Sequence, residues 1–173
     1  MIPRAPFGRT GHTSSRVIFG AAALSGMNPE RAAATLQLIS DHGINHVDVA
    51  AMYGNGKAEL NLAPWLVENR SRVFLATKTY QRSGDRARQD LEESLTRMGV
   101  DSVDLIQLHN LVEPDEWETA HAPGGAVDAL FTARDEGLVR FVGVTGHGRR
   151  VPGMHLRSLQ QRDFDSVLFP YNH

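Results

Sequence analysis

One hydrophobic pattern recurs along the chain: apolar residues at helical spacing, then a glycine, then a short β-branched or apolar run. It occurs as LISDHG before INHVDV, as SLTRMG before VDSVDLIQL and as TARDEG before LVRFVGV. Gly43, Gly99 and Gly137 each stand where a helix C-terminus favours a residue free to take positive φ, so these are predicted helix-to-strand joints. Leu91, Leu95 and Met98 fall at i, i+4 and i+7, and Ala126, Leu130 and Ala133 repeat that spacing. Each helix therefore presents one apolar stripe to a sheet. The strand segments VFLAT, VDLIQL and FVGV are largely continuous in apolar residues, as expected when both faces of a parallel sheet are covered. The alternation predicts repeated βα units, with six strands at 16–20, 44–48, 72–77, 103–107, 139–144 and 165–169 and helices between them. A β-hairpin through FGRTGHTSSRVIF precedes the repeat. The longest stretch expected to be irregular is 110–124, NLVEPDEWETAHAPG, where Trp117 suggests a functional loop.

Composition narrows the classes. A chain of 173 residues with 41% hydrophobic and 22% charged content is sized and balanced for one globular domain. A net charge of -2 with scattered arginines offers no basic field for a nucleic acid, which is not an expected partner. No apolar run approaches a membrane span, and no membrane partner is expected. The absence of cysteine excludes thiolate chemistry and Cys-ligated zinc, and the lack of a signal-type segment after MIPRAPFGRT makes the cytoplasm the expected location.

The chemistry-bearing side chains gather at the C-terminal ends of the predicted strands. Asp48 ends the second, Lys78 follows the third, His109 ends the fourth and Thr145 ends the fifth, while Tyr53 follows Asp48 within DVAAMYGNG. In a parallel sheet those ends share one edge, the edge where βα barrels place active sites. Singly, each residue has an ordinary reading as a strand-end cap or a solvated side chain, and Asn55-Gly56 as a plain turn. Together they form a coherent group. An ammonium near a phenol favours its ionised form, so Lys78 could help Tyr53 release a proton. Asp48 would keep that lysine charged, and His109 would hydrogen-bond the reacting oxygen. Such a group suits protonation of a carbonyl oxygen as it gains negative charge.

These residues and their order make the chain similar to the aldo-keto reductases. The motifs are GINHVDVAAMYGNGKAEL, LATKT, LEESLTRMGVDSVDLIQLH and GLVRFVGVTGHG, and the likeness runs from the hairpin to Asn172. The resemblance implies an α/β fold of the (β/α)8 TIM-barrel type, here incomplete: one domain over 1–173 with about six parallel strands, ending after strand six. It implies Tyr53 as general acid assisted by Lys78, Asp48 and His109, acting on an aldehyde or ketone with NADPH as hydride source. Asp48, Thr145 and Gly146 would lie on the cofactor side, although the family often has Ser-Asn where Thr145-Gly146 stand and Gln where Leu168 stands. Substrate would meet His109, Met27, Tyr80 and Trp117. A barrel of this type takes about 250 residues, so a C-terminal segment or another chain is the expected partner completing it.

The sequence admits two other readings. The chain could be a catalytically incompetent or regulatory barrel acting as a binding subunit. It could also be a metal-dependent hydrolase using His109, His147 and Asp48, although the sequence lacks a His-x-His pair and clustered carboxylates, and no metal site is expected.

Overall fold

A computed structural model describes residues 2–171; Met1, Asn172 and His173, and with them the end of the family likeness, lie outside it. The N-terminal hairpin pairs β1 (Arg4–Pro6) antiparallel with β2 (Thr13–Ser15). Six parallel strands then follow in chain order: β3 (Phe19–Gly20), β4 (His46–Asp48), β5 (Phe74–Thr79), β6 (Val103–Leu108), β7 (Val139–Thr145) and β8 (Ser166–Leu168). They form one curled sheet, a partial barrel, with the helices α1 (Pro29–Asp41), α2 (Lys57–Asn69), α3 (Gly84–Met98), α4 (Pro114–His121), α5 (Ala126–Asp135) and α6 (Val151–Gln161) in the crossovers.

The stripes read from the sequence are buried where expected. Leu91, Leu95 and Met98 of α3 and Ala126, Leu130 and Ala133 of α5 join Val47, Leu75, Ile106 and Val142 in one core between helices and sheet. Fully burying each large aliphatic side chain contributes about 1.5–3 kcal/mol, so this layer supplies much of the driving force. Gly99 caps α3 at φ 65°, and the other two joints, Gly43 and Gly137, also take positive φ. A smaller cluster of Phe74, Ala76 and Leu105 with Phe7 and Phe141 fills the concave side of the sheet. Phe7 brings the hairpin onto it, its ring centroid 5.4 Å from that of Phe74. Arg9 ties the same hairpin to Asp163 and Asp165 at the far end of the chain.

Three expectations change. The third strand runs two residues further, so Lys78 lies within β5 rather than after it. The first is short because residues 14–17 remain with the hairpin, where Arg16 N–H donates to Pro3 and the Ser15 hydroxyl to Val17. The stretch 110–124 is not irregular: Pro114 at the first turn, followed by Asp115 and Glu116, starts α4, with the acids favourably placed at its N-terminus. Among the described residues no helix is long and apolar enough to cross a membrane.

Candidate active site

Strand pairing lays the reactive residues side by side. Asp48 pairs with Ala76 and Lys78 with Gln107, bringing the ends of β4, β5 and β6 onto one edge. Alternation along β5 turns Lys78 to the concave side and Thr77 and Thr79 toward the helices. The Lys78 ammonium, 3% exposed, has three donors and three acceptors: Asp48 Oδ2 at 2.6 Å, the Val49 carbonyl at 2.9 Å and Tyr53 Oη at 3.2 Å. It also stands 5.0 Å from the Tyr53 ring centroid. A buried ammonium is costly without partners, and here the strand-end acid, a backbone carbonyl and the phenol satisfy it together.

Tyr53 reaches this point because the loop after β4 follows the edge of β5. Val49 N–H donates to the Ala76 carbonyl at 2.9 Å and Ala51 N–H to the Lys78 carbonyl at 3.4 Å. The turn then closes through Gly54, Asn55 and Gly56, all at positive φ, which releases the chain into α2. His109 follows β6, with its N–H donating to the Thr79 carbonyl at 2.8 Å. Its ring meets Tyr53 edge-on at 5.9 Å and lies 4.9 Å from Tyr80. Burial, then the neighbouring Lys78, lowers its pKa to about 4, so the imidazole is neutral at ordinary pH and retains one N–H to donate. Its Nδ1 is buried without a partner among the described residues.

Asp48, Tyr53, Lys78 and His109 are thus brought together, with Tyr80 at their rim. The Tyr80 hydroxyl accepts from Asn110 Nδ2 at 3.1 Å, and its ring faces Arg82. The other expected members differ in placement. Trp117 is a correction: it is 4% exposed within α4, donates from Nε1 to Ser158 Oγ at 2.9 Å, and is sandwiched by His121 and Arg157, so it braces α4 against α6. Met27 packs half-buried against the core, with its sulfur accepting from the Thr35 hydroxyl and its carbonyl from Asn61. Thr145 is 1% exposed and its hydroxyl accepts from Asn110 N–H. Gly146 is buried, and a Cβ there would meet Val112, Val151 and His155. Neither presents a free side chain to the cleft. His147 donates its backbone N–H to Asn110 Oδ1, and no group of three or more His, Asp or Glu among the described residues could hold a metal ion.

Sequence reasoning missed three residues around this group. Gln107, 2% exposed, donates to Asp48 Oδ1 at 3.2 Å from the strand position beside Lys78. Asn110, at φ 52°, links Tyr80, Thr145 and His147; an Asn directly after a strand-end His is the signal that could have marked it. Glu59 is a fully buried carboxylate in α2, held by Thr77 and Arg97. The curled sheet opens beside Asp48 as a cavity of about 450 Å³, bordered by Gly20, Gln107, Ser166 and Leu168.

Comparison with known proteins identifies the family and the fold. The sequence profile of the Aldo/keto reductase family matches residues 16–152. A 6-dehydroglucose reductase from Novosphingobium aromaticivorans is 34% identical over 156 residues, covering 80% of this chain and 49% of that protein. The holo form of an aldo-keto reductase from Bacillus halodurans superposes with a TM-score of 0.84 at 24% identity, over 99% of this chain and 58% of that one. An aldo-keto reductase from Klebsiella pneumoniae in complex with NADPH gives 0.72 at 23% identity, over 84% of this chain and 50% of that one. The chain spans about half the length of the curated relatives it matches. Because the profile matches residues 16–152, well over half of the chain, the chain belongs to the Aldo/keto reductase family.

Proposed function

We propose that the protein reduces an aldehyde or ketone to an alcohol with NADPH, Tyr53 giving the proton to the carbonyl oxygen. The observation that carries this reading is the Lys78 ammonium, buried and bonded at once to Asp48 and Tyr53. A lysine in that position favours the negative charge that a phenol acquires as it gives up its proton, and Asp48 is the lysine's ion-pair partner at 2.6 Å. Neutral His109 offers an N–H to the same oxygen and, with Tyr53 and Tyr80, forms an aromatic wall that orients the carbonyl.

The donor set fits a nicotinamide, since its proton donor needs a two-electron donor for the carbonyl carbon and no side chain of the group is one. When bound, NADPH supplies that hydride. Asp48, which borders the open cavity with Gln107 and Ser166, would face the nicotinamide; Thr145 and Gly146 would contribute through the backbone because their side-chain positions are spent. Completion of the barrel by further chain, from the same protein or a partner, fits the unpaired edges at β3 and β8. Val17, Ile18, Val167, Leu168 and Phe169 are exposed there, and such edges invite pairing.

Tyr53→Phe tests the proposal. Loss of a positioned acid typically lowers kcat by about 10²–10⁴, with NADPH binding, followed by fluorescence titration, unchanged. Turnover retained in that variant would remove Tyr53 as the acid.

A further inference from the structure

We propose that Glu59, Arg97 and Asp90 are positioning residues that fix, from behind the sheet, the strand bearing Lys78 and the loop bearing Tyr53. This rests on the reading of Tyr53 and Lys78 as the proton-delivering pair. Thr77 and Thr79 flank Lys78 and face the helices, where the surrounding layer is apolar. Each is held by a carboxylate. Thr77 Oγ1 donates to Glu59 Oε1 at 2.8 Å, and Thr79 Oγ1 to Asp90 Oδ2 at 2.6 Å. Arg97 joins the two, its Nε donating to Glu59 Oε2 at 2.6 Å and its Nη2 lying 3.9 Å from Asp90 Oδ1. Lys78 is thereby bracketed on both sides by one polar chain.

The same chain reaches the Tyr53 loop. Glu59 lies in the first turn of α2, which begins just after Gly56. Gly56 takes φ 84°, and a Cβ there would stand 2.8 Å from Arg97 Nε, so the end of the loop rests directly on the guanidinium. A fully buried carboxylate with an arginine partner is poorly explained by stability alone, because well-packed apolar residues commonly do as well. Geometry is the better account. The phenol and the ammonium come from two elements whose relative placement this cluster sets, and a displacement of about 1 Å at a reacting group can cost about 10²-fold in rate.

The test uses the double variant Glu59→Gln/Arg97→Met, which leaves no unpaired buried charge between these two, together with Arg97→Lys as the conservative replacement. The double variant should melt cooperatively. Hydrogen exchange at the Val49 and Ala51 amides, which bond to β5, should quicken about tenfold or more while β6 amides keep their protection. Its kcat for carbonyl reduction should fall about 10²-fold with KM changed less than about threefold, whereas Arg97→Lys should keep most of the wild-type kcat and amide protection. Wild-type exchange and kcat in a folded double variant would overturn the proposal. So would a loss of protection spread equally over β6, or failure to fold, since either makes the cluster merely structural. If the unaltered chain reduces no carbonyl yet the exchange result holds, the reductase reading fails and the positioning role stands.

Discussion

Replacing Lys78 with methionine removes the ammonium and keeps most of the side chain's volume. The Asp48 carboxylate then retains Gln107 as a side-chain donor, and the Val49 carbonyl loses its lysine donor. Breaking a buried pair by deleting one member costs about 3–5 kcal/mol; because the Asp48 side chain keeps 16% exposure, the lower end, about 3 kcal/mol, applies. For a chain of this length about 2–4 °C is lost per kcal/mol, so Tm should fall by about 6–12 °C. Adding Asp48→Asn removes the stranded charge, and the double variant should regain about 1–2 kcal/mol over Lys78→Met alone. The assay is a double-mutant cycle by urea denaturation, with thermal melts alongside. If the double variant loses the sum of the two single losses, the pair has no coupling and the account of a mutually satisfied ammonium is refuted.

Acidification should destabilise the fold. Burial lowers both His46 and His109 to about 4, so the unfolded chain, with ordinary imidazoles near 6.5, binds protons that the native state refuses. Stability is complete above about 6.5 and declines as pH falls toward 4, on the order of 2 kcal/mol per histidine at pH 5; equal urea midpoints at pH 7 and pH 5 would contradict this. Ser158→Ala deprives the Trp117 indole of its acceptor and should cost about 1–3 kcal/mol in chemical denaturation. Substrate KM should not move, since Trp117 stands away from the cleft. Gly143→Ala should destabilise by about 1–3 kcal/mol in the same assay, because a Cβ there would press on Ser166 and Gln107 between adjacent strands.

What the sequence made legible is what local pattern encodes. The glycine joints, the apolar stripes of α3 and α5 and the placement of Asp48, Lys78 and His109 at strand ends follow from period and punctuation alone. Trp117 was misread because its acidic neighbours resemble a loop, while their position after Pro114 makes them the first turn of a helix. Glu59 left no local mark. In KAELNLAPWL it looks like a solvent-facing helical acid, and its burial is made tolerable by Thr77 and by Arg97, 38 residues later. Gln107 was hidden likewise: a polar residue inside an apolar strand acquires meaning from Asp48, 59 residues earlier. For Thr145 and Gly146 the motif position did not reveal the packing: the Thr145 hydroxyl accepts from the Asn110 amide and Gly146 is enclosed by Val112, Val151 and His155.

The tether from Arg9 to Asp163 and Asp165 bears on the order in which the molecule assembles. It joins groups 154 and 156 residues apart, and contacts of such separation can form only after the intervening chain has been drawn together. Pairing of successive strands needs only the next βα unit, so the sheet can grow stepwise as the chain leaves the ribosome. Seating of the hairpin through Arg9 must wait until residue 165 has been made. The hairpin is placed first by nearer contacts, Ser14 with His46 and Phe7 with Phe74, and the Arg9 tether locks it only after the β8 side of the sheet has formed.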